Sequence, residues 1–130
     1  VTARGKAPFA HIYSPPKTEA YEKEVARIAR AQMAGRSPTD RPVAVSMLAV
    51  FPIPKSITKA KLAGIQAGFI PCQASADLDN VFKSVADAMN KIVFIDDSQV
   101  VQMTAKKLYG EEPRVVVSVR EFLPADLLGD

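Results

Sequence analysis

Hydrophobic positions recur along this chain with two different periods, and the switch between them lays out the elements. Between residues 18 and 34, Tyr21, Val25, Ile28, Ala29 and Met33 fall mostly three or four apart, which puts them on one stripe of a helix. Thr18 suits the cap, Glu19 and Glu22 suit the positive end of the helix dipole, and Gly35 is a stop signal. Residues 42–53 alternate instead. Val43, Val45, Met47, Ala49 and Phe51 point one way, and Ala44, Ser46, Leu48 and Val50 the other. Both sets are largely apolar, the pattern of a central strand covered on both faces, and Pro52 and Pro54 end it. Helical spacing returns over 56–67, with Ser56 as cap and Gly68 as stop. It returns again over 78–90, where Val81, Val85, Ala88 and Met89 supply the buried stripe. A short apolar run from Ile92 to Ile95 is broken by Asp96 and Asp97. Residues 99–109 and 114–122 read as strands, and the short connection from Gly110 to Pro113 predicts that they pair as an antiparallel hairpin. Residues 1–16 read as a basic extended arm, and the tail 124–130 as loose.

This order of elements predicts an α+β fold: a mixed sheet of about four strands with helices packed against it, in a single domain over residues 1–130. At 48% hydrophobic the chain can bury a core, and with 24% charged residues it does not have the composition of a disordered segment. A net charge of +3 permits a polyanionic partner without requiring one. Cys72 is the single cysteine, so no disulfide closes within the chain, and a small apolar filler is its plain reading. His11 is the single histidine, so no zinc set of His and Cys exists. No apolar run is long enough to span a bilayer and no secretory signal is present, so a cytoplasmic location without a membrane partner is expected.

Two acidic clusters carry the candidate chemistry. Asp77-Leu78-Asp79-Asn80 opens the third helix, and Asp96-Asp97 follows it. Asp77 and Asp79, two residues apart, project together from an extended segment. The helix is about 20 Å long, so Asp97 rejoins them only if Lys91 to Ile95 runs back as a strand. Three converging carboxylates repel one another unless a cation lies between them. An all-oxygen set prefers Mg²⁺, with Mn²⁺ as a substitute. Such an ion activates water and stabilises charge on a phosphate. Lys83 lies one turn beyond Asp79, within reach of a phosphate or of the carboxylate. Each feature also has a plainer reading: Asp77 as a helix cap, Asp79 with Lys83 as an i,i+4 ion pair, and Asp96-Asp97 as a turn.

The run from Asp77 to Val119 resembles the RusA-type family of Holliday junction resolvases. The resemblance rests on Asp77, Asp79, Asn80 and Lys83, on Asp87-Ala88-Met89, and on Asp96-Asp97-Ser98-Gln99-Val100. Tyr21-Glu22 and Pro52 to Ser56 extend it upstream, so it covers roughly residues 4 to 121. It implies a Mg²⁺-dependent homodimeric endodeoxyribonuclease, bacterial or phage-encoded, that resolves four-way junction DNA by symmetric paired nicks in recombination and repair. It makes Asp77, Asp79 and Asp97 the catalytic, metal-binding carboxylates and Lys83 the catalytic lysine. Asp96 and Asn80 become auxiliary and Gln99 structural. No organic cofactor is implied. Where family members carry Lys, Arg or Pro ahead of the first Asp, this chain has Ser75 and Ala76. DNA contact is therefore expected from Lys55, Lys59 and Lys61, from Lys17, and from Arg4 and Lys6 in the arm. The family's first strand and its Pro-Arg-containing loop are expected to be missing in front of Val1. The rival readings are a less selective branched-DNA nuclease and a non-catalytic DNA-binding dimer of the same fold.

Overall fold

A computed structural model describes residues 9–11, 18–72, 74 and 77–128, with side chains from Glu22 onward. In chain order the elements are β1 (Phe9–His11), α1 (Thr18–Met33), β2 (Val43–Pro52), α2 (Lys59–Gln66), α3 (Leu78–Met89), a 3-10 turn at Asp97–Gln99, β3 (Val100–Gly110), β4 (Arg114–Glu121) and a second 3-10 turn at Pro124–Leu127. Among these residues the fold is α+β, with a mixed sheet. β3 runs parallel to one edge of β2 and β4 antiparallel to the other, and the short β1 pairs with β4.

The expected hairpin does not form, because β2 lies between β3 and β4. A strand that is apolar on both faces gains most in the middle of a sheet, where each edge finds a partner. The connection from Gly110 to Arg114 has to cross about 10 Å, two strand spacings, and does so over the end of β2. Gly110 permits the crossing. A Cβ placed on it would come within 2.5 Å of Val50 Cγ1.

The core lies on one face of the sheet. Val43, Val45, Met47, Ala49 and Phe51 of β2 and Val115, Val117 and Val119 of β4 form it with Val25, Ala29 and Met33 of α1 and with α3. On α3 the expected Val81, Val85, Ala88 and Met89 are buried, and Phe82 and Ala86 join them. The opposite face is only partly covered: Ala44 and Val50 are buried but Ser46 is exposed, so β2 is not covered along both faces. Cys72 fills space in the core as expected.

Two local expectations change. The cap of α2 is Thr58, whose hydroxyl accepts from Lys61 N at 3.2 Å, and not Ser56. None of α2's residues is buried. Residues 124–127, expected to be loose, make a 3-10 turn held by Asp126, which accepts from Arg120 Nη1 at 2.9 Å and Leu123 N at 2.6 Å. Gly35 does stop α1, at φ +81°. Among the described residues no helix is long and apolar enough to cross a membrane.

Candidate active site

The start of α3 is fixed by its own first acid. Asp77 is the N-cap, in extended conformation, and its carboxylate accepts from Asp79 N at 3.1 Å. Such a cap satisfies one of the amides a helix leaves unpaired at its N-terminus. Asp79 sits in the first turn, exposed like Asn80 and Lys83. Spacing of four residues puts Asp79 and Lys83 on one helix face, one turn apart. Among the described residues no ion pair joins them. Asp77 thus spends one oxygen as a cap, and the Asp79 carboxylate faces water.

The second acidic cluster is built differently. Asp96 caps the turn Asp97–Gln99 by accepting from Ser98 N at 3.0 Å. Gln99 completes the capping box, its Oε1 accepting from Ile95 N and Asp96 N, both at 2.8 Å. Its Nε2 donates to the carbonyls of Thr39 and Arg41, again at 2.8 Å. Gln99 is therefore structural, as expected. Hydrogen bonds from Ser98, side chain and amide, hold the Asp96 carboxyl below its ordinary range, with a smaller pull from Lys91. Asp97 is exposed beside this anchored frame. The segment that receives Gln99 is itself tied down. Thr39 N donates to Val93 O at 3.0 Å, and Thr39 Oγ1 donates to the buried Glu121 at 3.2 Å.

Asp97 does not rejoin Asp77 and Asp79 within the chain. Lys91 to Ile95 is not a return strand. Lys91 adopts φ +67°, its amide donates to Phe94 O at 2.7 Å, and Val93 and Phe94 turn into the core. The chain therefore leaves the C-terminal end of α3 and stays there. Two rulers give the separation. The twelve residues of α3 span about 18 Å, and β3 from Val100 to Lys107 spans roughly 23 Å. Lys107 Nζ donates to Ala74 O at 2.8 Å, which fixes the far end of β3 beside the approach to α3. Among the described residues no three acidic, histidine or cysteine side chains are grouped to hold a metal ion.

Of the expected DNA-contacting residues, Lys55, Lys59 and Lys61 are exposed on and before α2. Arg4, Lys6 and Lys17 lie outside the described residues, as do the side chains of Thr18 and His11. The sequence reading missed Lys106 and Lys107. With Tyr109 they line one side of a cleft of about 490 Å³ whose other side is Ile65, Gly68, Ile70, Pro71 and Cys72. The adjacent basic pair in an otherwise largely uncharged strand was the available signal.

Over residues 1–120 the chain matches the family model described as endodeoxyribonuclease RusA. A protein of Bacillus subtilis (strain 168), described as uncharacterized protein YqaN, is 35% identical over 113 residues, covering 85% of this chain and 79% of that relative.

Proposed function

Because the chain belongs to the RusA endodeoxyribonuclease family, we propose that it is a divalent-metal-dependent nuclease that resolves four-way DNA junctions by paired symmetric nicks. The observation that supports this most directly is the pair of exposed carboxylates at the start of α3, with an exposed lysine one turn on. Two carboxylates, with water and substrate phosphate completing the shell, are a usual donor set for Mg²⁺. Asp77 and Asp79 fit that role, and Mn²⁺ is the expected substitute. When bound, the ion supplies a Lewis acid and lowers the pKa of water. Asp79 and the uncommitted oxygen of Asp77 would hold it, and Lys83, one turn on, would offset charge on a bound phosphate. Asn80 orients the same turn.

Asp97 enters this site only from a second subunit. The two acidic stations lie at opposite ends of α3, so a twofold axis that turns one copy antiparallel to the other sets Asp97 of one beside Asp77 and Asp79 of its partner. A homodimer of this kind also supplies two equivalent sites, which paired nicks in symmetry-related strands require. The exposed Val101 and Met103 of edge strand β3 and the exposed Ile95 are the apolar surface for such a contact. Lys55, Lys59 and Lys61 supply phosphate contacts, so affinity falls with added salt.

One observation favours a non-catalytic DNA-binding dimer instead: Asp77 and Asp96 are both engaged as caps. Incubation with a synthetic four-way junction, in Mg²⁺ and in EDTA, separates the readings. Paired nicks that require both Mg²⁺ and Asp79 are expected. Tight junction binding without nicking in Mg²⁺ or Mn²⁺ would leave only the binding dimer. Equal cutting of flaps, forks and four-way junctions would point to the less selective nuclease.

A further inference from the structure

Phe69 is 84% exposed, the most exposed aromatic side chain among the described residues. It is not on a slack loop. Past the end of α2, Gly68 takes φ +83°, Gly68 N donates to Ile65 O at 3.0 Å, and Phe69 N donates to Gly64 O at 2.8 Å. Ile70 closes down on the helix, its Cδ1 within 2.6 Å of where a Cβ on Gly64 would stand. Ile70 is seated on the helix and Phe69 is left exposed beside it. The backbone therefore presents the ring on a fixed mount.

Its own segment is basic. From Arg41 to Ala76 the sequence holds no acidic residue, and Lys55, Lys59 and Lys61 lie on and just before α2. Gly68 and Ile70, on either side of Phe69, line the cleft that Lys106, Lys107 and Tyr109 close from β3. Lys107 is bonded to Ala74 O, three residues ahead of Asp77, so the Lys107 edge of this cleft adjoins the approach to α3.

We propose that Phe69 is a base-stacking wedge: it stacks on a nucleobase unpaired at the branch point of junction DNA, beside a cleft that receives the displaced base. This rests on the nuclease reading above and adds a source of selectivity for branched over linear DNA. Apolar wedges insert where base steps are unstacked, and a stacked aromatic tolerates any base. Pairs at a branch point open more readily than pairs within a duplex, so the wedge favours the junction.

The test uses four-way junctions carrying 2-aminopurine at the branch point, in Ca²⁺ to hold cleavage back, with the intact protein, Phe69→Ala and Phe69→Trp. The intact protein raises 2-aminopurine fluorescence, Phe69→Trp retains the rise, and Phe69→Ala abolishes it. In Phe69→Ala the ratio of junction to duplex affinity falls roughly tenfold. An unchanged fluorescence rise and affinity ratio in Phe69→Ala, with an intact protein that binds and nicks junctions, would overturn the wedge and leave the nuclease reading standing. An intact protein without affinity for any DNA at low salt would overturn both. Loss of dimer mass in Phe69→Ala by light scattering would assign the ring to a second copy of the chain and also overturn the wedge.

Discussion

The side-chain amide of Gln99 donates to the carbonyl of Thr39 at 2.8 Å, across 60 residues of sequence. With its other three bonds, to Arg41 O and from the amides of Ile95 and Asp96, this side chain joins the Asp96–Asp97 turn to the strand entry of β2. Gln99→Ala removes all four bonds. The expected cost is about 1–3 kcal/mol in urea unfolding, with faster amide exchange at Ile95 and Asp96. Unchanged exchange there would show that the turn holds without its anchor.

Asp77 has a capping role and a proposed metal role, and two substitutions separate them. Asn caps about as well as Asp, so Asp77→Asn should leave thermal stability nearly unchanged while nicking falls by about two orders of magnitude or more. Asp77→Ala should lose about 1 kcal/mol as well. Full nicking by Asp77→Asn would remove this carboxylate from the metal site.

Mixing two inactive variants tests the shared site. If Asp97 acts across the dimer, Asp79→Asn and Asp97→Asn mixed and allowed to exchange subunits yield heterodimers with one intact site. Single-strand nicking then reappears, although neither variant alone cuts. Silence after verified exchange would rule out the cross-subunit site.

The Asp96 turn should depend on acid. Its carboxyl is held below the ordinary value by bonds from Ser98, so the charged form is favoured in the folded protein. That stabilisation is full above the unfolded carboxyl value of about 3.9 and is lost as pH falls through the lower folded value. Protection of the Ser98 amide should be flat from neutral pH to about pH 5 and decline below about pH 4. In Asp96→Asn this acid-dependent decline should disappear.

Gly110 marks where the chain crosses β2. Gly110→Ala places a methyl against Val50 and should destabilise by about 1–3 kcal/mol. Val50→Ala in the same chain should recover part of that loss. Additive losses would mean that the two do not touch.

The α3 core stripe was legible because Val81, Val85, Ala88 and Met89 repeat at helical spacing and all are buried. β2 was legible as central from its two apolar faces. The partners of its edges were not, since Gly110 to Pro113 is long enough either to turn back or to step across a strand. The path of Asp97 was misread for a similar reason. Ile92 to Ile95 has strand composition, yet Lys91 reverses the chain and Val93 and Phe94 fill the core. Composition carries no record of that reversal. Nor does it mark Phe69 as exposed, because the seat that Gly64 offers Ile70 exists only once α2 has formed.

The central position of β2 also sets an order of assembly. Val43 is paired with Val100 on one side and Glu121 on the other. A chain emerging from the ribosome therefore presents an apolar strand with both edges bare until β3 arrives, and with one edge bare until β4 follows. Pairings this distant in sequence form slowly, and unpaired apolar edges recruit other chains. Products truncated ahead of Arg114 should collect in the insoluble fraction, and chains reaching past Glu121 in the soluble one.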